Sequence, residues 1–543
     1  MPYSGTIQHW FGRKESTPFF LLIALLVKVL LCWNTFTIDG DKSAQLLAAR
    51  SLAEGQGICL PYSPPEDLSQ TLYKPLTGWP PGYSLSLAPL LLITDFDYKT
   101  AALLFDLILL LPFLLLFLLL LRYAGATPRL QNLFLLFAGF FAYPFGGESA
   151  TDLAALVFLL AAFGVLLKIM RGDSVSLWGC ALLLFLPGLF KYQYIPVGIA
   201  APLLLSLAGY GQKNKALVRT GLVLFSGTLL LGGGLLFFQQ QYAGSAYYIN
   251  SQASGFFPAN LKYLYPFVPA SFVDVETALT VFSAKTGTDY LRNGNALLLA
   301  GYLLFLLLTA FTLIAVCRKR KQMKEPADDF IFLGSGISLL IIGLLFYLSL
   351  RNSIQQSPFY QPWTYIQEYR YFLFPVILLQ LAYFIFSLGK FPRLSVWGKT
   401  LSGFVLLLLL LNLAYAGYDF TRMIRSAEQP FYRTPVYAAR VSFFTRYYHR
   451  IQQQYPHQRL VIASPDHSLA HYAGLEGFGA LPLSHFQQEP LRFRSAVNTK
   501  VLLIMDSLSA KHYAPLLHFN AANPYDRQGN HYFYLLDAEP LSR

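Results

Sequence analysis

The stretch Ala101-Ala102-Leu103-Leu104-Phe105-Asp106-Leu107-Ile108-Leu109-Leu110-Leu111-Pro112-Phe113-Leu114-Leu115-Leu116-Phe117-Leu118-Leu119-Leu120-Leu121-Arg122 decides the fold class. A helix rises about 1.5 Å per residue, so about 20 apolar residues cross the roughly 30 Å of bilayer hydrocarbon. This run is long enough, and it stops at a cation. Working outward, apolar runs predict helices at about 19–37, 99–121, 131–146, 152–170, 175–190, 194–209, 217–238, 295–317, 328–350, 371–389 and 399–417. A chain of 543 residues that is 55% hydrophobic and only 13% charged cannot hide its apolar surface in water-soluble cores. The expectation is a polytopic α-helical membrane protein of about 11 transmembrane helices.

The formal charge of +13 does not point to nucleic acid, because much of the excess lies in short loops between apolar runs. Arg122 and Arg129, Lys168 and Arg171, Lys213 with Lys215 and Arg219, the run from Arg318 to Lys324, and Lys390 with Arg393 and Lys399 mark one side. By the positive-inside rule that side is cytoplasmic, which puts the amino terminus inside and the carboxyl-terminal tail in the periplasm of a bacterial inner membrane. The first run, after Arg13 and Lys14, lacks a small-residue cleavage pattern and reads as a retained helix. Gly82 to Thr94 is apolar but short and carries Pro89 after Pro80 and Pro81, so it reads as interfacial or re-entrant; as a span it would invert the basic 318–324 run. The four cysteines sit at unrelated places and outline no disulfide framework.

Two domains are expected: a membrane module over 1–417, with outer loops at 38–98 and 239–294, and a soluble α/β domain over 418–543. The tail carries a helical pattern at Val436 to Tyr455 and strand-like runs at Arg459 to Ser464, Val501 to Asp506 and His531 to Asp537. No internal repeat is visible, which weighs against a transporter built from inverted halves.

The chemistry is sought on the outer side. Asp39-Gly40-Asp41 follows the first helix and precedes an amphipathic stretch, Lys42 to Glu54. A carboxylate at the membrane face can act as a general base towards a hydroxyl; the same residues would equally cap the next helix. The pair offers oxygen ligands that a divalent cation would accept, although no metal or other cofactor is assigned. Lys74-Pro75-Leu76-Thr77-Gly78-Trp79-Pro80-Pro81-Gly82-Tyr83 forms a rigid turn back to the membrane, with Trp79 and Tyr83 as an interfacial aromatic pair. Glu148 and Asp152 share a face if a helix begins there, and as acids at a helix start they also suit its dipole.

Cations are rarer on this side. They are Arg50, Lys74, Lys191, Arg351 and Arg370, of which Lys191 and Arg370 either snorkel or hold a lipid phosphate. Tyr247 and Tyr248, in the Tyr-rich 239–294 loop, are read as acceptor-stacking residues or as part of an interfacial belt. Eight of the nine histidines lie in the tail. His467 and His471 have a metal-compatible spacing but no glutamate or cysteine partner, so they read as solvated surface. Walker, dinucleotide and kinase patterns are absent, so nothing supports ATP- or nicotinamide-driven chemistry.

First helix, acidic motif, amphipathic stretch ending in Glu54-Gly55-Gln56-Gly57, Trp-Pro-Pro-Gly turn, Glu148 to Asp152, and Glu368-Tyr369-Arg370-Tyr371: the arrangement over about 15–415 resembles the GT-C glycosyltransferases. That class includes protein O-mannosyltransferases, the lipid A aminoarabinose transferase and Rhizobium-type lipopolysaccharide sugar transferases. The resemblance puts Asp41 at the acidic position, Arg50 about nine residues later and Trp79 to Gly82 at the turn; Gln45 stands where a tyrosine is commoner. It implies an inverting transfer of a sugar from a polyprenyl-phosphate carrier, on the outer face, to a hydroxyl of a glycan, lipid or protein in the cell envelope. Asp41, or Asp39, would be the base, and Arg50, Lys74, Lys191 or Arg370 would meet the departing phosphate. The other readings open at this point are a multi-pass secondary transporter and a non-catalytic membrane scaffold.

Overall fold

A computed structural model describes residues 13–36, 38, 40–140, 151–243, 256, 258, 326–351, 421, 435–483, 489–528 and 531–541. In chain order the described helices are α1 (Thr17–Thr35), α2 (Gly40–Ala53), α3 (Gly82–Ile93), α4 (Tyr98–Tyr123), α5 (Pro128–Phe140), α6 (Asp152–Met170), α7 (Leu177–Phe190), α8 (Tyr194–Gln212), α9 (Lys215–Ala243), α10 (Pro326–Arg351), α11 (Pro435–Gln454), α12 (His467–Leu475) and α13 (Ser507–Leu517). The strands are β1 (Cys59–Tyr62), β2 (Leu72–Pro75), β3 (Arg459–Ser464), β4 (Gly479–Pro482), β5 (Arg494–Ser495), β6 (Thr499–Asp506), β7 (Asp526–Gln528), β8 (His531–Asp537) and β9 (Glu539–Pro540). The helices expected at 295–317, 371–389 and 399–417 lie outside the described residues, as does the end of the one expected at 131–146.

Among the described residues, six helices are long and apolar enough to cross a membrane, and α3 and α7 are shorter apolar helices. The protein is a multi-pass helical membrane protein. Its lipid-facing surface shows in α1, where Phe19, Leu22, Leu26, Leu30 and Trp33 are exposed at helical spacing while Phe20, Ala24, Val27 and Leu31 are buried on the bundle side. Small residues let the helices approach closely: a Cβ on Gly198 of α8 would lie 2.2 Å from the Leu184 carbonyl oxygen of α7. Local signals set the boundaries. Asp97 accepts hydrogen bonds from the backbone N–H groups of Lys99 and Thr100 at the start of α4, and Ser176 caps α7 through Gly179. Arg122, Arg171 and Lys213 all fall at the end of the bundle away from the tail, where Arg171 stacks on the Tyr123 ring, 3.7 Å from its centre, and meets Asp329 at 3.9 Å.

Helix α3 does not cross. Twelve residues span about 18 Å at 1.5 Å each, and the flanking residues on both sides meet the tail, Trp79 at His471 and Tyr98 at Glu476. At its start, a Cβ on Gly82 would lie 2.5 Å from the Leu189 carbonyl oxygen, so the turn sits directly on the end of α7. After its end, Asp95 and Phe96 adopt left-handed φ values of 51° and 60°, reversing the chain so that the Tyr98 hydroxyl meets Glu476 of the tail. Tyr83, Leu87, Ala88 and Leu91 of α3 are buried, whereas Leu85, Leu92 and Ile93 are exposed, as an interfacial helix requires.

The tail holds a five-stranded sheet in the order β4-β3-β6-β8-β7, with β4, β3 and β6 parallel and β8 antiparallel to both neighbours. Alternation along β3 and β6 assigns the faces. Leu460, Ile462, Leu502 and Ile504 pack under α11 and α12, and Val461, Ala463, Leu503 and Met505 pack under α13. Both faces are covered, which explains why these strands read as unbroken apolar runs. The second core includes Leu68, fully buried, from the segment between α2 and α3. Ser63 N–H donates to the Ala480 carbonyl at 2.8 Å, covering the edge of β4, and Leu68 N–H donates to the Arg494 carbonyl at 2.7 Å. Helix α12 joins the two parts: Leu469 and Ala473 face the sheet, Tyr472 and Leu475 belong to the membrane-side core, and Gly474 packs against Leu47 of α2.

Leu68→Ala should therefore destabilise the tail, although it lies about 400 residues away in sequence. A cost of about 2–5 kcal/mol is expected for emptying a fully buried leucine site, read as a lowered thermal midpoint of the detergent-solubilised protein.

Candidate functional site

Asp41 occupies the first turn of α2 and is half-buried, and its backbone carbonyl accepts from Gln45 Nε2 at 3.3 Å. An acid here is favoured by the helix dipole. The next residue anchors the helix from below. Lys42, 1% exposed, extends into the bundle, pairs with Asp106 of α4 at 3.0 Å and lies 4.7 Å from the centre of the Phe36 ring. Lys28 of α1 is fully buried, one turn before Cys32, whose surroundings include Asp106 and Lys42. A buried polar cluster thus lies directly beneath the turn that carries Asp41.

Arg50 points elsewhere. Nine residues advance a helix by two and a half turns, so Arg50 leaves α2 on the side opposite Asp41. It pairs with Glu54 at 2.8 Å and donates to the Leu475 carbonyl of α12 at 3.4 Å. Lys74 is exposed on β2, where its charge is felt by His467.

The Trp-Pro-Pro-Gly turn is held from both sides. The Tyr192 hydroxyl donates towards the carbonyls of Trp79 at 3.1 Å and Thr77 at 3.4 Å, and itself accepts from Gln239 Nε2 of α9. The Trp79 ring meets the His471 ring of α12 edge-on, 6.5 Å between centres. Tyr83 is fully buried beneath, edge-on to Phe105 at 5.2 Å. One step before Tyr192, Lys191 forms an ion pair with Asp152 at the start of α6, both largely buried. Two residues read separately from the sequence, one as a phosphate cation and one as an acid, are thus brought together. Tyr242, at the end of α9, reaches the first loop, its hydroxyl 3.6 Å from Cys59 Sγ.

Asp39, Glu148, Tyr247, Tyr248 and Arg370 lie outside the described residues. Among the described residues no three His, Cys, Asp or Glu side chains are gathered to hold a metal ion. His471 corrects the solvated-surface reading: it is 5% exposed, and burial pushes its pKa down to about 3. His467 stays exposed, as that reading has it, with its Nε2 3.2 Å from the Leu483 carbonyl and its pKa lowered by partial desolvation. Sequence reasoning missed Lys28, Lys42, Asp106, Tyr192 and Gln239. Lys28 and Asp106 carried a usable signal, since each is a lone charge in an apolar run and such charges are costly unless they face a polar interior.

No family model matches the sequence, and no curated protein matches it. Six chains of known structure match, among them ArnT from Cupriavidus metallidurans, solved bound to undecaprenyl phosphate. The likeness covers 95% of this chain and 97% of that one, at 13% identity and a TM-score of 0.47.

Two predictions rest on this geometry. Asp152→Asn removes the counter-charge of a buried ammonium and should cost on the order of 3–5 kcal/mol, while Asp152→Asn combined with Lys191→Met should recover most of it; thermal melting of the four proteins checks the cycle. For His471 the folded pKa lies below the ordinary 6.5, so the folded form stays neutral where the unfolded form takes up a proton. Its contribution is flat above about pH 6.5 and weakens on acidification, about tenfold per pH unit, until near pH 3. His471→Phe, which keeps a ring against Trp79, should flatten the fall in thermal midpoint between pH 7 and pH 4.

Proposed function

We propose that the protein is an inverting glycosyltransferase that moves a sugar from a polyprenyl-phosphate carrier to an acceptor hydroxyl, at the membrane face that bears the tail. The observation that carries the reading is a buried Asp152–Lys191 pair beside a clamped Trp-Pro-Pro-Gly turn, on the same face as Asp41. The motif order in the sequence supports it, since the same positions carry the resemblance to GT-C enzymes. Such a donor is already activated, so the chemistry calls for no nucleotide site and no further cofactor.

In this reading Asp41 takes the proton of the acceptor hydroxyl as its oxygen attacks the anomeric carbon. The bond from that carbon to the phosphate oxygen breaks, the sugar passes through an oxocarbenium-like state, and its configuration inverts in the single displacement. The carrier leaves as a phosphate, and Lys191, exchanging part of its interaction with Asp152, meets the charge that develops there. Lys74 stands at the rim as a second cation. Arg50, turned to Glu54 and Leu475, holds the tail instead. Arg370, Glu148 and the tyrosines Tyr247 and Tyr248 keep their sequence-based roles in the reading. The site faces the periplasm of the inner membrane, with the tail contributing to the acceptor side.

A second reading, secondary transport, is favoured by one feature, the buried charges Lys28, Lys42 and Asp106. Solute uptake by proteoliposomes free of lipid-linked sugar would select it over transfer.

Asp41→Asn should lower transfer of radiolabelled sugar from polyprenyl phosphate by about 10²–10⁴-fold with protein yield and thermal midpoint unchanged. Retained transfer would remove Asp41 from the mechanism.

A further inference from the structure

Gln239 ends a chain of hydrogen bonds that the glycosyl-transfer reading leaves unused. It sits near the end of α9, 7% exposed, and its Nε2 donates to the Tyr192 hydroxyl. The amide orientation follows from the proton count. Tyr192 has one hydroxyl hydrogen, directed to the carbonyls of Trp79 and Thr77, so its oxygen must accept from Gln239 and the amide must present its N–H₂ there. That leaves Gln239 Oε1 buried and, among the described residues, without a hydrogen-bond partner. A buried acceptor with no donor is costly and is uncommon in folded proteins unless water, an ion or a ligand completes it.

Its position narrows the ligand. Gln239 is one hydrogen bond from Tyr192, and Tyr192 follows Lys191 of the Asp152–Lys191 pair. A phosphate or carboxylate, an acceptor at neutral pH, gains nothing from a carbonyl oxygen. A group with an O–H does. The Tyr192 bonds to the Trp79 and Thr77 carbonyls fix the amide relative to the turn, so the acceptor is preorganised.

We propose that Gln239 Oε1 accepts a hydroxyl of the sugar carried by the lipid phosphate, making Gln239 a specificity-determining residue and Tyr192 the residue that positions it. The inference rests on the glycosyl-transfer reading and adds a sugar subsite separate from the phosphate and from Asp41. A neutral, hydroxyl-bearing sugar fits this acceptor, and a sugar lacking the one hydroxyl in question would lose the contact.

The test uses the full chain in nanodiscs with undecaprenyl phosphate, which has no sugar, and with its glucosyl, galactosyl, mannosyl and arabinosyl derivatives. The wild-type protein should bind at least one sugar-bearing lipid more tightly than the bare one. Gln239→Met should weaken that lipid by about tenfold, the size of one lost hydrogen bond, raise KM more than it lowers kcat, and leave bare undecaprenyl phosphate unaffected. Tyr192→Phe, which keeps the ring and frees the amide, should weaken the same lipid by less. Against monodeoxy versions of the preferred sugar, one should be bound equally by wild type and Gln239→Met. Equal weakening of bare and sugar-bearing lipids would make Gln239 a merely structural residue, and a wild-type protein that does not distinguish them would eliminate the subsite; either result overturns the inference. Failure of transfer with tight binding of the bare lipid would instead strike the parent reading at its catalytic step.

Discussion

The Lys42–Asp106 ion pair is the constraint on which the architecture of the tail-bearing face depends. An ammonium and a carboxylate buried among apolar helices must find each other, because neither can be left to hydrocarbon. Their meeting draws α2 down onto α4 at the level where the first helix ends. Helix α2 then carries Asp41 at its near end and Leu47 along its flank, and Leu47 is where Gly474 of the tail packs. From there the tail is located by Tyr98 and Glu476 on one side and by Trp79 and His471 on the other. One buried charge pair thus registers three layers: membrane helices, the segment between α2 and α3, and the sheet of the tail.

The helices are aligned by packing of a different kind. Close backbone approaches at Gly82 and Gly198 admit no side chain, so the relative heights of α3, α7 and α8 leave little freedom. Those heights bring the end of α7, the start of α6 and the end of α9 together beneath the Trp79 turn, where Asp152, Lys191, Tyr192 and Gln239 meet. Every polar residue of this cluster is held by residues from another element, the arrangement that keeps a binding geometry rigid.

Much of the fold was legible in the sequence because lipid makes hydrophobic length informative. The described spans fall within a few residues of the apolar runs, and the strands at Arg459–Ser464 and His531–Asp537 coincide with their patterns. The short Gly82–Ile93 segment was readable for the same reason, since it is too short to cross and broken by Pro89. The site was less legible. Asp152 and Lys191 stood out as charges near hydrocarbon, but that they pair depends on the packing of α6 against α7, which no local pattern encodes. Gln239 and Tyr192 are ordinary residues at a helix end and a turn; only their tertiary neighbours make them notable. Leu68 and His471 were hidden likewise, the one in a polar loop and the other in a histidine-rich tail, because burial there comes from segments far away in sequence.

The presence of Leu68 inside the tail's core bears on how the protein is made. The loop emerges from the ribosome hundreds of residues before the strands that surround it, so during synthesis its apolar side chain and the free backbone groups near Ser63 must wait for the rest of the chain. Completion of the sheet is therefore a late, long-range closure that follows insertion of the helices between, with the slow kinetics that distant contacts impose. Until that closure, the segment carrying Trp79 lacks its partner in α12, so the site cannot mature before the last stretch of chain has been made and folded.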